Sequence, residues 1–228
     1  MTSALIIIDM QNDFCPGGAL GVNDGENIIE PINDAQEDFD TIVFTQDWHP
    51  QEHSSFASNH NAEPFSNMEM DYGSQILWPN HCIQGSEGAN FHRNLNTNKG
   101  DLILRKGCNP KIDSYSTFFE NDKNTTTGLE GYLTKKEIKQ LYLCGLAFDY
   151  CVFYSALDGI NLGFDVFVFQ DLTKAIDLNN SKEIAKKTMT ECLNTELFVS
   201  VGFILVESPN FLVVFMEVEV VGVFPCLP

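Results

Sequence analysis

The stretch QLYLCGLAFDYCVFYSAL, from Gln140 to Leu157, joins an apolar run, a break at Gly145 and a helix-like pattern that begins at Cys151. This order predicts a strand, a tight turn and a helix that opens on a cysteine. Backbone N–H groups at a helix N-terminus stabilise a thiolate, lower its pKa and can hold a developing oxyanion. Taken alone, the stretch is explained more simply by an inert cysteine, because free cysteines are commonly buried. The rest of the chain decides between the two.

The bulk composition is that of one globular domain. The chain has 228 residues, of which 43% are hydrophobic, and this is enough for a single α/β domain with a full core. A formal net charge of −19 argues against a basic surface that binds nucleic acid or an anionic membrane. No segment reaches about 20 uninterrupted apolar residues, so we expect no membrane span.

The cysteines and the N-terminal residues indicate a cellular location. The seven cysteines are odd in number and show no CxxC spacing. The first residues, MTSALIIIDMQND, contain neither a basic region nor a cleavage-site pattern, and they lead directly into a predicted strand. We therefore expect a cytoplasmic protein with reduced thiols.

Apolar runs alternate with helical patterns along the chain, which predicts a parallel sheet with right-handed crossovers. The predicted strands are Ala4–Ile8, Thr41–Thr45, Asp101–Leu104, Leu141–Cys144, Asp165–Phe169 and Phe203–Val206. The predicted helices are Asn27–Phe39, Gly128–Lys139, Cys151 to about Gly163, and Ser181–Leu197. We expect one three-layer α/β/α domain, residues 1–209, with a six-stranded and mostly parallel sheet. The long polar stretch His49–Gly100 is predicted to be a functional loop.

Four reactive side chains follow the predicted strands. Asp9, Asp47, Lys106 and Cys151 each lie at or just past the carboxyl end of a strand, or of the turn after it. Ligands of open α/β sheets bind outside the carboxyl ends of the strands, so we expect these side chains to meet at one edge. A carboxylate there can take the thiol proton, and an ammonium can stabilise the resulting anions. Considered singly, Asp9 could instead cap a strand end, and Lys106 could be a solvated surface lysine.

A second polar group occurs in DWHPQEH, after the second predicted strand. Asp47 and His49 are separated by one residue, and His81 follows later in LWPNHC. Nitrogen and oxygen ligands of this kind suit zinc, iron or manganese, and three of them would leave positions open for water or substrate. His53 and Cys82 are further candidate ligands. A polar loop without a metal explains this group equally well when it is taken alone.

Three aromatic residues lie near these motifs in the sequence and could line a pocket for a flat ring: Phe14, Trp78 and Tyr115. Ordinary loop packing is the alternative explanation.

The motifs as a set resemble one enzyme family. They are IIIDMQNDF, TQDWHPQEHSSF, LWPNHC, LRKG, DSYSTFF and CGLAFDYCV, and they are closely similar to those of nicotinamidases (pyrazinamidases), within the isochorismatase-like cysteine hydrolases. The matches run in the family's order from Ala4 to about Leu205. The resemblance implies an isochorismatase-like fold and the hydrolysis of nicotinamide to nicotinate and ammonia through a cysteine thioester, as a step of NAD salvage.

The resemblance also implies a role for each matched residue. The catalytic residues would be the nucleophile Cys151, the general base Asp9 and Lys106. The oxyanion would lie against the N–H groups of Ala147 and Cys151, after a cis peptide bond between Leu146 and Ala147. The residues around the pyridine ring would be Phe14, Trp78, Tyr115, Leu146 and Ala147.

One divalent metal ion is implied as well, zinc in the first place, with iron or manganese as alternatives. Its ligands would be Asp47, His49 and His81. The position of His53 binds the metal in some family members and supports the ligands in others. The metal would bind the pyridine nitrogen and orient the ring.

Two features depart from the family pattern. The apolar segment NFLVVFMEVEVVGVFPCLP, residues 210–228, extends past the family core. We expect it to form an added strand or a contact in a homo-oligomer, and an exposed, adhesive segment is the alternative. The insert NTTTG, residues 124–128, is predicted to be a surface loop.

Other functions stay open at this stage. A related amidase could act on a carbamoyl or ureido substrate, although such relatives generally lack the Asp-x-His motif. A catalytically silent metal-binding scaffold would not need to retain Asp9, Lys106 and Cys151 together. A redox role for Cys151 lacks a resolving cysteine at CxxC spacing.

Overall fold

The computed structural model describes residues 2–193 together with 198–199, 206–208 and 211–213. Within these ranges the strands are Ser3–Ile8 (β1), Ile42–Asp47 (β2), Asn67–Met70 (β3), Gly73–Ile76 (β4), Leu102–Lys106 (β5), Gln140–Leu146 (β6), Asp165–Lys174 (β7), Phe198–Val199 (β8), Val206–Ser208 (β9) and Phe211–Val213 (β10). The α-helices are Ile29–Ala35 (α1), Leu129–Lys135 (α2), Phe153–Asn161 (α3) and Ser181–Leu193 (α4).

The main sheet has the strand order β5-β2-β1-β6-β7-β8, and every neighbouring pair in it is parallel. Five strands form its body, and the two-residue β8 extends the edge beside β7. The predicted α/β class with a parallel sheet is therefore confirmed. Parallel strands need crossover connections. Helices supply them except between β2 and β5, where the long polar stretch makes the connection.

The core lies on both faces of β1. All residues from Ala4 to Ile8 are fully buried, as expected for a central strand of a parallel sheet. Leu5 and Ile7 pack on one face with α1, whereas Ala4, Ile6 and Ile8 pack on the other with α2, α3 and α4. This alternation gives the three layers that the sequence predicts.

The break predicted at Gly145 is wrong, because β6 continues through it to Leu146. Gly145 has a φ of 107°, and a Cβ atom there would lie 2.1 Å from the carbonyl oxygen of Ile8. Glycine is therefore needed for close packing against β1 rather than for ending the strand. The pairing register between β6 and β7 shifts at this point, and β7 continues past its predicted end at Phe169 to Lys174.

Three predicted helices have different bounds. The helix predicted from Asn27 to Phe39 is the shorter α1, with 3-10 turns on either side of it. The helix predicted from Gly128 to Lys139 is the shorter α2. The helix predicted to begin at Cys151 begins at Phe153, because residues Phe148–Val152 form a single π-helical turn before it. Such turns are rare and frequently lie at functional sites. The last predicted helix is α4, and residues 194–197 of that prediction lie outside the described residues.

The sequence predicts the sixth strand of the main sheet at Phe203–Val206, whereas the sixth strand that the described residues form is β8. Residues 203–205 lie outside the described residues, and Val206 begins β9, which pairs with β10 in a separate antiparallel pair. The whole segment is apolar, so composition alone cannot locate a strand within it.

The C-terminal extension does contribute a strand, β10, but that strand pairs with β9 rather than with the main sheet. Residues 214–228 lie outside the described residues, so the expected oligomer contact stays a prediction. The boundary between residues 209 and 210 also stays a prediction.

The long polar stretch after β2 folds over the carboxyl end of the sheet. It contains the hairpin of β3 and β4, and it returns on itself where the N–H of Trp78 donates to the carbonyl of Ser55 at 2.7 Å. The N–H of His49 donates to the carbonyl of Cys82 at 3.0 Å, which brings the two histidine motifs together. None of the described helices combines the length and the apolar character that a membrane span requires.

Candidate active site

The four reactive side chains meet at one edge of the sheet, as the sequence predicts. Asp9 follows β1, Asp47 ends β2, Lys106 ends β5, and Cys151 lies in the turn after β6. All four are buried, with exposures of 0%, 4%, 2% and 6% in that order. The alternative of a solvated Lys106 is therefore wrong.

The ammonium of Lys106 is the centre of this group. Its Nζ lies 2.8 Å from Oδ2 of Asp9 and 2.5 Å from Oδ1 of Asp47. It also donates to the carbonyl of Ser114 at 2.9 Å and lies 3.4 Å from Sγ of Cys151. Burial alone would lower the pKa of Lys106, but the charges of Asp47 and Asp9 outweigh burial and raise it well above its usual value. The lysine is therefore a permanent cation.

The two carboxylates beside Lys106 differ in acidity. Burial raises the pKa of Asp9, Asp47 adds to that rise, and Lys106 offsets only part of it. For Asp47, burial acts in the same direction, but Lys106 and His49 outweigh it and lower the pKa. When the surroundings of two acids shift their pKa values in opposite directions, the two acids can take different roles in a reaction. Asp47 stays an anion, and Asp9 is the carboxylate that can exchange a proton.

Cys151 is a buried thiol. Burial raises its pKa well above the usual value, Asp9 and Asp47 act in the same direction, and Lys106 opposes them. The expectation of a lowered pKa is therefore wrong for this arrangement of side chains. The reason is that two neighbouring carboxylates and burial outweigh one ammonium. The sulfur needs a base beside it, and a carboxylate oxygen of Asp9 lies within 4.8 Å of it.

Asp9 is itself held in place by β2. Its Oδ1 accepts a hydrogen bond of 2.6 Å from the hydroxyl of Thr45, and its backbone N–H donates to the same hydroxyl oxygen at 3.2 Å. Asp9 has a φ of 49°, a left-handed conformation that aspartate tolerates better than most residues. The side chain therefore faces Lys106 and Cys151 instead of serving only as a strand-end cap.

The predicted metal ligands lie together behind Lys106. Oδ2 of Asp47 is 3.5 Å from Nε2 of His49 and 3.9 Å from Nε2 of His81. Nδ1 of His49 bonds the carbonyl of Gly107 at 2.9 Å, and Nδ1 of His81 bonds that of Pro79 at 2.8 Å. An imidazole that donates through Nδ1 presents the lone pair of Nε2 to a metal.

This group fits a divalent metal ion. One ligand atom from each of Asp47, His49 and His81 lies within 4.8 Å of the others. Nε2 of His49 is buried and has no hydrogen-bond partner among the described residues, a costly arrangement that a metal would satisfy. Burial lowers the pKa of His81 to about 4, with His49 acting in the same direction, so this imidazole is neutral at pH 7 and can bind a metal.

His53 lies next to this group but outside it. Its ring centroid is 4.3 Å from that of His49, and its Nδ1 is 2.8 Å from the hydroxyl of Ser55. Its candidate ligand atom lies close to those of His49 and Asp113, and it does not belong to the group that Asp47 and His81 form. Whether His53 binds the metal stays a prediction.

Cys82, the other candidate ligand, does not belong to any of the ligand groups formed by the described residues. Burial raises the pKa of its thiol well above the usual value, and Asp47 adds to that rise. Its backbone N–H donates to Oδ2 of Asp13 at 2.7 Å, which fixes the loop next to His81.

A pocket with aromatic walls opens onto Cys151 and Asp47. Three predicted ring contacts, Phe14, Trp78 and Tyr115, line it, and so does Ala147. The hydroxyl of Tyr115 accepts hydrogen bonds from Nε1 of Trp78 at 3.1 Å and from the side chain of Gln75 at 2.9 Å, so the two rings hold each other in place.

Leu146 is placed differently from the other predicted ring contacts. It is fully buried in the core and is absent from the described pocket lining. The peptide bond between Leu146 and Ala147 is cis, as the resemblance implies. The oxyanion role of Ala147 and Cys151 stays a prediction.

Sequence reasoning missed four residues that line the pocket: Leu20, Asp113, Tyr150 and Ile176. Tyr150 directly precedes Cys151, and Asp113 begins the DSYSTFF motif, so position in a motif could have indicated both. Leu20 and Ile176 lie in loops of ordinary composition, where no local signal marks a pocket residue.

Comparison with known proteins gives one consistent family. The model of the isochorismatase domain matches residues 3–197. A nicotinamidase of Acinetobacter baylyi is 48% identical over 187 residues, which are 82% of this chain and 87% of that protein. The structure of a nicotinamidase/pyrazinamidase from Acinetobacter baumanii superposes with a TM-score of 0.82 at 50% identity, covering 83% of this chain and 92% of that one.

Two further structures carry ligands. The yeast nicotinamidase bound to the inhibitor nicotinaldehyde has a TM-score of 0.77 at 32% identity, over 83% of this chain and 96% of that one. The pyrazinamidase of Pyrococcus horikoshii in complex with zinc has a TM-score of 0.70 at 33% identity, over 89% of this chain and all of that one. From the motifs, the fold and these similarities together, the chain belongs to the isochorismatase domain family.

Proposed function

We propose that this protein is a nicotinamidase, a hydrolase that converts nicotinamide to nicotinate and ammonia. The observation that carries the proposal is the contact of Lys106 with Asp9, Asp47 and Cys151 beside one aromatic pocket. The names of the similar proteins, and the nicotinaldehyde bound to one of them, support the substrate class. We further propose that the enzyme is cytoplasmic and acts in NAD salvage, on the basis of this substrate and of the free cysteines among the described residues.

The pocket suits a small aromatic amide. Phe14, Trp78 and Tyr115 offer flat apolar surfaces for a ring, and the sulfur of Cys151 faces the same space. Trp78 and Tyr115 are joined by a hydrogen bond, so their rings are set before the substrate binds. A preformed wall reduces the entropy lost on binding.

In the first step, Sγ of Cys151 bonds to the carboxamide carbon while its proton passes to Asp9. The carbonyl π electrons move to the oxygen, and the N–H groups of Ala147 and Cys151 stabilise the oxyanion. The raised pKa of Asp9 makes it a stronger base than an ordinary carboxylate, which suits a thiol whose own pKa is raised. Proton transfer in the same step avoids a free buried thiolate.

The tetrahedral intermediate then collapses. Asp9 gives its proton to the amide nitrogen, and the C–N bond breaks. Ammonia departs, and a thioester remains on Cys151. Asp9 is again a carboxylate, so it takes a proton from the water that attacks the thioester carbon. Collapse of the second oxyanion breaks the C–S bond, while Asp9 returns the proton to the sulfur. The product is released as nicotinic acid, which loses its proton to the solvent and becomes nicotinate.

Lys106 and the metal-binding residues support this chemistry. Lys106 holds Asp9 and offsets the negative charge that develops beside Cys151. Asp47, His49 and His81 would hold one divalent metal ion, for which we propose zinc because their ligand set suits it and a similar pyrazinamidase was solved with zinc. When bound, the metal supplies a Lewis acid for the ring nitrogen of the substrate.

The direct test is ammonia release from nicotinamide by the purified, zinc-loaded protein, with Cys151→Ala as the control. We expect turnover by the wild type, and a variant that binds nicotinate without releasing ammonia. A wild type that hydrolyses a carbamoyl or ureido amide but not nicotinamide would contradict the proposed substrate. Loss of turnover after chelation, with recovery on adding zinc, would support the metal assignment.

A further inference from the structure

The turn that carries Cys151 is tied to a distant loop by one buried carboxylate. Asp149 lies two residues before the nucleophile and is 3% exposed. Its Oδ1 accepts a hydrogen bond from the N–H of Ile176 at 3.0 Å. Its Oδ2 accepts bonds from the N–H of Asp177 at 2.7 Å and from the hydroxyl of Ser181 at 2.5 Å. All three donors come from the connection between β7 and α4 or from the first residue of α4.

This connection forms part of the catalytic pocket. Ile176 lines the pocket, and so does Tyr150, which directly follows Asp149 in the chain. The backbone around Ile176 is irregular, because Asp177 and Asn179 have φ values of 60° and 53°. Its N–H groups therefore have no strand ladder to join, and a side-chain acceptor must satisfy them.

We propose that Asp149 is a positioning residue that holds Ile176 in the pocket wall, and that Ile176 packs against the substrate ring and helps to select it. The identity of that ring rests on the proposed function. Asp149 itself does not contact the reacting atoms. It acts through three charge-assisted hydrogen bonds, which are about twice as strong as neutral ones.

Asparagine cannot replace this carboxylate. An amide has one acceptor oxygen, so its NH₂ group must face a donor at one of the two oxygen positions of Asp149. The substitution therefore breaks the hydrogen bond from the N–H of Ile176 or the one from the N–H of Asp177. Ile176 is then no longer held in the pocket wall. Ser181→Ala is milder, because it removes one donor and keeps both backbone hydrogen bonds.

Asp158 offers a matched control. It is another buried aspartate, 6% exposed, which pairs with Lys123 through contacts of 2.8 and 3.0 Å. It lies on α3 and is not among the described residues of the catalytic pocket. Asp158→Asn therefore reports the general cost of neutralising a buried aspartate.

The test is a double-mutant cycle with four proteins: wild type, Asp149→Asn, Ile176→Ala and the double variant. We expect each single substitution to raise the KM for nicotinamide about tenfold, the change that 1.4 kcal/mol of lost binding produces. We expect the KM of the double variant to be no higher than that of either single variant, because Asp149 acts through Ile176. Asp158→Asn should lower the melting temperature and leave KM unchanged, and Ser181→Ala should give a smaller rise in KM.

A second readout does not depend on the amidase reaction. Iodoacetamide is reacted with the folded protein, and the modification of Cys151 is measured by mass spectrometry of the peptide that contains it. The rate should rise several-fold in Asp149→Asn and Ile176→Ala but not in Asp158→Asn. An Asp149→Asn protein that loses stability as Asp158→Asn does, with unchanged KM and unchanged modification rate, would overturn the inference. Additive effects in the double variant would also overturn it. A wild type without amidase activity would refute the proposed function, and the modification rates would still test the positioning role.

Discussion

Nζ of Lys106 lies 2.5 Å from Oδ1 of Asp47, and this contact joins the proposed catalytic residues to the proposed metal ligands. The other oxygen of Asp47 faces the imidazoles of His49 and His81. One carboxylate thus orients the lysine that holds Asp9 and would offer a ligand to the proposed metal. A change at Asp47 should therefore affect both groups at once.

The first prediction concerns metal binding. Asp47→Asn removes the anionic ligand and the partner of Lys106, so we expect the zinc content of the purified protein to fall and turnover to be lost. Asp165→Asn, at an exposed position at the start of β7, is the control and should retain both properties. Metal analysis by mass spectrometry checks this, and an Asp47→Asn protein with full zinc content would contradict it.

The second prediction concerns Lys106. Lys106→Met keeps most of the volume but leaves the buried carboxylates of Asp9 and Asp47 without their cation. Removing one partner of a buried ion pair costs about 3–5 kcal/mol, so we expect a loss of this size in the free energy of unfolding. Lys136→Met, on an exposed ion pair, should cost less than about 1 kcal/mol. Equal losses in the two variants, measured by urea denaturation, would refute the central place of Lys106.

The third prediction concerns pH. Burial lowers the pKa of His53 to about 4, whereas a histidine in the unfolded chain has a pKa near 6.5. The folded state therefore binds fewer protons between these values, and stability falls as the pH is lowered from about 6.5 to 4. This histidine contributes a slope of about 1.4 kcal/mol per pH unit in that range.

The metal-free His53→Gln variant isolates this contribution. Comparing its urea denaturation with that of the metal-free wild type at several pH values cancels the titration of the other groups. We expect the wild type to lose more stability than the variant between pH 6.5 and 4. If the plots of unfolding free energy against pH were parallel for the two proteins, the burial of His53 would not control its protonation.

The fourth prediction concerns Ser155, which is fully buried beneath the turn that carries Cys151. Its hydroxyl donates to the carbonyl of Cys151 at 2.5 Å and accepts from the N–H of Thr117 at 2.9 Å. Ser155→Ala leaves two buried backbone groups without this partner, so we expect a loss of about 1–3 kcal/mol in stability. Thr190→Ala, which removes an exposed hydroxyl contact on α4, is the control and should cost less. A stability loss no larger than that of the control would contradict this role.

The sequence predicted the site better than the strand ends. Asp9, Asp47, Lys106 and Cys151 were located because residues that end parallel strands share one edge, a rule that needs only approximate strand positions. The continuation of β6 through Gly145 could not be predicted, because it depends on how closely the carbonyl of Ile8 approaches. A glycine in an apolar run can either end the strand or allow close packing of the backbone, and local composition does not distinguish the two.

The acidity of Cys151 illustrates a second limit. The expected low pKa followed from the predicted helix start, but the turn buries the thiol and places two carboxylates near it. Burial is a property of the packed chain and has no local signature. The same reason explains why Ile176 was missed, since it lines the pocket through the packing of the loop after β7, which bonds Asp149, and nothing in its local sequence shows this.

The covalent role of Cys151 is the central claim, and the most direct measurement is rapid-quench mass spectrometry of the peptide that contains it during turnover of nicotinamide. The mechanism predicts a nicotinoyl thioester on Cys151 that forms during turnover and disappears when the substrate is exhausted. Full turnover without any adduct on this peptide, under quench conditions that preserve a thioester, would contradict it.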